Sequence, residues 1–147
     1  METRHFIGTT ATKEAMFEAM ATTEGLTKWW ATKAKGNVLA GQVVELEFDG
    51  LTTLKFKCDE VVKNKKLVLV CFQSFKAWNG TKLIFNIEKK DQQVFLTLIH
   101  QDIAEDDMES YTYFSTKWTV YLLSLKQYLE IGVGTPYPKE LKLYHGD

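Results

Sequence analysis

Between Met108 and Ile131 the large apolar residues fall at Tyr111, Phe114, Trp118, Tyr121, Leu125 and Tyr128, in steps of three and four. That spacing predicts an amphipathic helix, and Leu122 and Leu129 widen its apolar stripe to one broad face. Glu109, Lys117, Lys126, Gln127 and Glu130 lie elsewhere on the wheel, while Ser115 and Ser124 blur its edges. Asp106 or Asp107 supplies the N-cap, Glu109 complements the first turn, and Gly132 gives the stop. At about 1.5 Å per residue the helix is roughly 36 Å long, enough to cross a small domain. Its aromatic face requires an apolar partner.

Earlier in the chain the pattern is shorter and mixed. Arg4 to Gly8 reads as a short strand centred on His5-Phe6-Ile7. Thr12 is placed to cap a helix from Lys13 to about Thr22, with Ala15, Met16, Ala19 and Met20 on its apolar face, joined by Phe17. Thr23 is then expected to cap a second short helix that runs through Leu26 to Trp29-Trp30.

From Asn37 the spacing changes to alternation. Val44, Leu46 and Phe48 share one face of a strand and Glu45 and Glu47 the other. Asp49-Gly50 signals a hairpin into a strand that alternates Leu54, Phe56 and Cys58 with Lys55, Lys57 and Asp59. A two-residue turn would put Lys55 on the apolar side, so the loop must be one residue longer or carry a bulge. Glu45 and Glu47 then face Lys55 and Lys57 on the outer surface. Val61-Val62 continues this strand and Lys63 to Lys66 turns it. Leu67 to Phe72 is a continuous apolar strand, and Trp78-Asn79-Gly80 forms a turn. Leu83, Phe85 and Ile87 alternate in the next strand, and Val94, Leu96, Leu98 and His100 in the last. An acidic loop, Asp102 to Asp107, leads into the long helix. Beyond Pro136 and Pro138 an extended or partly ordered arm is expected.

The order is strand, two short helices, about five further antiparallel strands, then the long helix. It predicts an α+β domain in which a curved sheet of about six strands wraps the C-terminal helix. A single domain spans 1–147, with a core over about 3–134 and a tail over 135–147. Apolar content of 45 % and charged content of 25 % fit a globular chain, and a net charge of −1 gives no electrostatic footprint for nucleic acid or an anionic membrane. No apolar run approaches the roughly 20 residues of a spanning helix. The N-terminus lacks a signal-peptide pattern and there are only two cysteines, so a cytoplasmic location is expected.

Several of these segments carry a resemblance. Thr22-Thr23-Glu24-Gly25-Leu26 with Trp29-Trp30, then Trp78-Asn79-Gly80-Thr81, then Leu96 to His100, and finally Trp118, Leu122, Leu125, Tyr128-Leu129 and Gly132 stand in a characteristic order. In this the chain resembles the START-like helix-grip (SRPBCC) superfamily, and within it the domain named for the activator of the heat-shock protein 90 ATPase. The similarity covers about residues 3 to 134. It implies a sheet gripping the terminal helix around a groove or cavity for an apolar ligand. It also implies, as an alternative, a stress-response role regulating a chaperone.

Phe48, Phe56, Phe85, Phe114, Trp118 and Tyr121 come from strand faces and a helix stripe that should converge. They either line a pocket for an apolar or aromatic molecule or fill a core. Trp30, Cys71, His100 and Leu122 complete the candidate ligand-binding set. Of Trp29 and Trp30, one is expected in the core and the other at a rim or lid. His100 points inward and could anchor a ligand or transfer a proton, with Glu60 as a neighbour, which leaves a cavity enzyme as a further alternative. If Asn64-Lys65 is a two-residue turn, Cys58 lies opposite Cys71. The pair is then either oxidisable or simply two small buried hydrophobes. No metal-ligand spacing, phosphate loop or nucleophile elbow occurs, so neither metal nor cofactor is expected. The expected partner is a hydrophobic small molecule, alternatively a chaperone, bound by a monomer or homodimer.

Overall fold

The structure, a computed structural model, describes residues 1–147. Its elements run β1 (Thr3–Thr9), α1 (Lys13–Ala21), α2 (Thr23–Trp29), β2 (Lys33–Gly36), β3 (Val43–Phe48), β4 (Thr52–Val62), β5 (Lys66–Phe72), β6 (Lys82–Lys90), β7 (Gln93–Gln101) and α3 (Met108–Ile131). The strands form one antiparallel sheet in the order β1-β7-β6-β5-β4-β3-β2. Five consecutive hairpins build a meander from β2 to β7, and β1 closes onto its far edge. The helical pair α1–α2 carries the chain from one edge strand to the other. The inner face of the curved sheet grips α3, which is the helix-grip α+β fold.

There are seven strands, not six. The additional one, β2, reads Lys-Ala-Lys-Gly and has no apolar alternation to reveal it. It is an edge strand paired to β3 through the antiparallel backbone ladder, with lysines set opposite glutamates: Lys35 lies 3.1 Å from Glu45 and Lys33 4.0 Å from Glu47. Lysines on such an edge also discourage pairing with another chain. Glu45 additionally meets Lys55 at 3.5 Å, whereas Lys57 pairs with Val43 and not with a glutamate.

The longer β3–β4 loop forms as the alternation requires. Phe48 pairs with Thr52 across Asp49-Gly50-Leu51, and Val44, Leu46 and Leu54 share the inner face with Phe56. The β4–β5 register departs from expectation twice. The turn has three residues, so that Val62 pairs with Lys66, and Asp59 bulges between Cys58 and Glu60. Each departure shifts the pairing by one. Cys58 therefore faces Leu69 and Cys71 faces Phe56, and the thiols are separately buried and free.

Thr12 caps α1 by accepting the Ala15 N–H. The cap of α2 is Thr22 and not Thr23: its hydroxyl accepts from Gly25 N and donates to Glu18 O, joining the two helices through one side chain. The corner is tight. A Cβ on Gly25 would stand 2.4 Å from Glu18 O and 2.7 Å from Ala19 Cα, both backbone atoms. Trp29 completes the corner by donating its indole N–H to Ala19 O at 2.9 Å. Asp107 caps α3, and Gly132 ends it with φ 83°. Along its length α3 is tied to the rest: the Ser124 hydroxyl donates to Trp29 O, and Lys126 bonds Gly8 O.

The segment beyond α3 contains no regular element but is pinned rather than loose. Tyr137 N donates to Trp30 O at 3.0 Å, and the Thr32 hydroxyl donates to Tyr137 O at 2.8 Å. Gly25→Ala should destabilise the domain by about 1–3 kcal/mol, the usual cost of overpacking against atoms that cannot move. Chemical denaturation followed by tryptophan fluorescence will measure it, and an unchanged midpoint would contradict this account of the corner.

Candidate functional site

Trp30 follows the last turn of α2 and bonds its N–H back to Leu26 O. Its ring is driven inward to meet Trp118 on α3 at 5.1 Å, Phe56 on β4 at 5.9 Å and Phe48 on β3 at 6.1 Å. Trp78, from the β5–β6 connection, stands beside them, 5.1 Å from Phe114 and 6.1 Å from Trp118. Neither Trp29 nor Trp30 is an exposed rim: both are fully buried, Trp29 in the helical corner and Trp30 at the centre of this cluster.

The cluster walls a cavity of ≈ 280 Å³ between the N-terminal half of α3 and the β3–β4 end of the sheet. Trp30, Phe48 and Leu54 form its floor, Phe114, Trp118 and Tyr121 its helical wall, and Leu51, Thr52, Phe75 and Tyr137 its mouth, with Trp78, Tyr113 and Lys117 between them. Phe75, Trp78, Tyr113 and Phe114 are shared with a wider groove of ≈ 700 Å³ that continues past Met108 and Tyr144. Of the residues singled out from sequence, Trp30, Phe48, Phe114, Trp118 and Tyr121 come together on the cavity wall. Phe56, Cys71, Phe85, His100 and Leu122 do not. They lie buried in the packed interior.

His100 is completely buried. Its Nδ1 accepts the Trp118 indole N–H at 3.1 Å, and its ring lies 4.8 Å from Trp78 and 4.6 Å from Phe114. Burial, followed by repulsion from nearby His5, pushes its pKa down to about 3. It is therefore a neutral acceptor that orients Trp118. It has no place on the cavity wall, and Glu60 is engaged elsewhere, 3.2 Å from Lys66.

Three wall features have little signature in the sequence. Trp78 reads as a turn residue but is buried. Tyr137 lies beyond the last regular element, yet packs edge-on to Phe48 at 5.8 Å. Lys117 falls on the polar side of the helical wheel but is only 5 % exposed along its side chain. Its ammonium lies 2.7 Å from Glu140 Oε2 and 2.5 Å from Asp147 Oδ2. The Tyr113 hydroxyl donates to Asp147 at 2.7 Å, and Lys142 lies 2.7 Å from the other oxygen of Glu140. The available signal was Tyr113-x3-Lys117-x3-Tyr121, one helical stripe in which a lysine sits between two tyrosines. Burial favours the neutral phenols and the adjacent carboxylates reinforce this, so both tyrosines titrate well above the ordinary range. For Asp147 burial likewise pushes the pKa up, but bonds from Leu143 N, Lys117 and Tyr113 outweigh it and hold the carboxyl below its usual range.

The burial of His100 has a pH consequence. Its folded pKa lies below the unfolded value of about 6.5, so the unfolded chain takes up the proton first. Stability should therefore be intact above about pH 6.5 and fall toward pH 3, by at most about 1.4 kcal/mol per pH unit from this group. His100→Gln, which keeps an acceptor for Trp118 but cannot titrate in this window, should flatten that slope in denaturation curves recorded between pH 7 and 4.

Most of the chain aligns with known proteins in the same frame. Residues 10–130 match the family model described as Activator of Hsp90 ATPase homolog 1-like protein. Among solved structures, the Aha1 dimer from Colwellia psychrerythraea shares 32 % identity, with a TM-score of 0.80 over 91 % of this chain and 99 % of that one. SSP2350 from Staphylococcus saprophyticus superposes with a TM-score of 0.78 at 19 % identity, covering 91 % and 95 % of the two chains. DynU16, from the dynemicin biosynthetic locus, gives 0.81 at 14 % identity, covering 90 % of this chain and 48 % of its own. These last two resemblances are of fold. No curated protein sequence matches the chain. The family model and the 32 % identical relative together establish that the chain belongs to the Activator of Hsp90 ATPase homolog 1-like family.

Proposed function

We propose that the chain binds a small apolar or aromatic molecule in the cavity between the sheet and the N-terminal half of α3. The observation that carries this reading is a half-open pocket of ≈ 280 Å³ lined by the aromatic cluster. It has room for several waters, whose share of the liquid is about 30 Å³ each, but water finds poor partners here. Eleven of the thirteen wall residues are hydrophobic, and the Tyr113 and Tyr121 hydroxyls are turned to Asp147 and Glu140. The volume sits near the lower end of small-molecule pockets, roughly 300–1,000 Å³, so the fitting ligand has one or two rings.

A second reading is regulation of a chaperone ATPase. It draws on the family description and on the exposed apolar side chains of Leu51, Phe75, Met108 and Tyr144 around the cavity and its groove. That role is measured by stimulation of the ATPase by this chain. The Colwellia relative, solved as a dimer, supports a homodimer for this chain as well, which light scattering will measure.

Naphthalene is a suitable probe for the cavity. Ligand-observed NMR and quenching of Trp30, Trp78 and Trp118 fluorescence should both report saturable binding. Thr52→Trp, which fills the mouth from a half-buried position, should weaken binding by about tenfold or more with little change in stability. Equal binding by this variant would place the probe elsewhere.

A further inference from the structure

Lys117 is a buried cation on the wall of an otherwise apolar cavity. Removing an ammonium from water is costly, and a buried ion pair seldom adds stability over well-packed apolar residues. Net stability alone therefore gives this lysine little reason to be buried beside the cavity. We infer that Lys117 is the anchor for an anionic head group, and that the ligand is a small amphipathic anion with a one- or two-ring body and a carboxylate. In the structure the Asp147 carboxylate occupies the place of that head group. This inference rests on the cavity-binding reading and specifies its ligand class.

The charge balance identifies which carboxylate is exchangeable. The cluster holds two cations, Lys117 and Lys142, and two anions, Glu140 and Asp147. Exchange of one carboxylate for another leaves it neutral, and a neutral ligand would forgo the exchange. Glu140 is the fixed member: its side chain is fully buried, it is bracketed by both lysines, and it receives the Tyr121 hydroxyl at 3.4 Å. Asp147 is attached differently. The preceding segment exposes Leu141 and Tyr144, 78 % and 59 % respectively, and so buries little apolar surface. Besides a 3.4 Å bond from the Lys117 ammonium to Leu141 O, it is held by the Asp147 carboxylate, which takes Lys117, the Tyr113 hydroxyl and the Leu143 N–H. A ligand carboxylate in the same position would inherit Lys117 and Tyr113 as donors. Its ring system would lie against Trp118 and Tyr121, the next turn of α3.

Calorimetric titration of the full chain with 2-naphthoate and with its neutral isostere, naphthalene-2-carboxamide, tests the assignment. Asp147→Asn removes the competing negative charge while keeping the side-chain shape, and so weakens the hold of Lys117 on the tail. It should bind 2-naphthoate roughly tenfold or more tighter than the unsubstituted chain does, the scale of one charge-assisted hydrogen bond, and the amide within about twofold of it. Lys117→Met should lose the preference for the acid over the amide. In the unsubstituted chain, saturating 2-naphthoate should speed hydrogen exchange at the Leu143 amide, which Asp147 otherwise holds. Equal affinities for acid and amide in Asp147→Asn would overturn the anion anchor and leave the cavity reading standing. Failure of both probes to bind any of the proteins would overturn the cavity reading and this inference with it. Should Lys117→Met fail to fold, the Asp147→Asn comparison alone decides between these outcomes.

Discussion

Trp30 has to be covered from several directions at once, and the elements that cover it are those that define the domain. Its ring meets Trp29 from α2, Phe48 from β3, Phe56 from β4, Trp78 from the β5–β6 connection and Trp118 from α3, with centroids between 5.1 and 6.5 Å away. Rings are rigid plates whose quadrupoles favour tilted and edge-on contacts over flush stacking. Here Trp30 inclines by 57° to Trp118 and Trp78 by 75° to the same ring. Farther along α3 the contacts pass to Leu122 and Leu125, fully buried in the same core. The cavity lies at the aromatic end of the helix.

The same helix presents a second stripe, Tyr113, Lys117 and Tyr121, beside the aromatic one. Through it the tail becomes part of the structure: Glu140 and Asp147 reach the Lys117 ammonium, and Lys142 stands 4.4 Å from the Tyr137 ring. A buried ionic cluster is a poor source of net stability but a strict one of registry, since each group left unpaired is severely penalised. It selects one position for a segment with no secondary structure of its own, and that position brings Tyr137 to the cavity mouth.

Sequence patterns reached the fold because the fold depends on periodicity. The inward alternation of Val44, Leu46 and Phe48, and of Val94, Leu96, Leu98 and His100, leaves one choice of buried face, and the stripe from Tyr111 to Tyr128 leaves one partner for it. What escaped was structure held by other means. β2 joins the solvent edge through its backbone ladder to β3 and carries no apolar alternation. The Asp59 bulge moves Cys58 away from Cys71, and nothing in an alternating strand announces which residue bulges. For the cavity, five of ten candidates reach its wall because a face identifies which residues point inward but not where along the helix the packing fails. Trp78, Tyr137 and Lys117 are supplied by a turn, a tail and a helical position that tertiary ion pairing turned inward. Each depends on contacts between segments distant in the chain.

The two halves of α3 therefore carry different tasks. Its C-terminal half is tied by hydrogen bonds to fixed neighbours: Ser124 to Trp29 O, Lys126 to Gly8 O, and Thr135 N back to Ser124. Those bonds lock the helix to β1 and to the α1–α2 corner. The N-terminal half is bordered instead by the cavity, the open groove and the tail, and is fixed to the sheet at Trp118 by the bond to His100. His100 can serve that purpose because it remains neutral: a charged imidazole would offer no lone pair to the indole. Held firmly at one end and by one indole in the middle, the helix leaves its remaining turns to border the cavity and the groove.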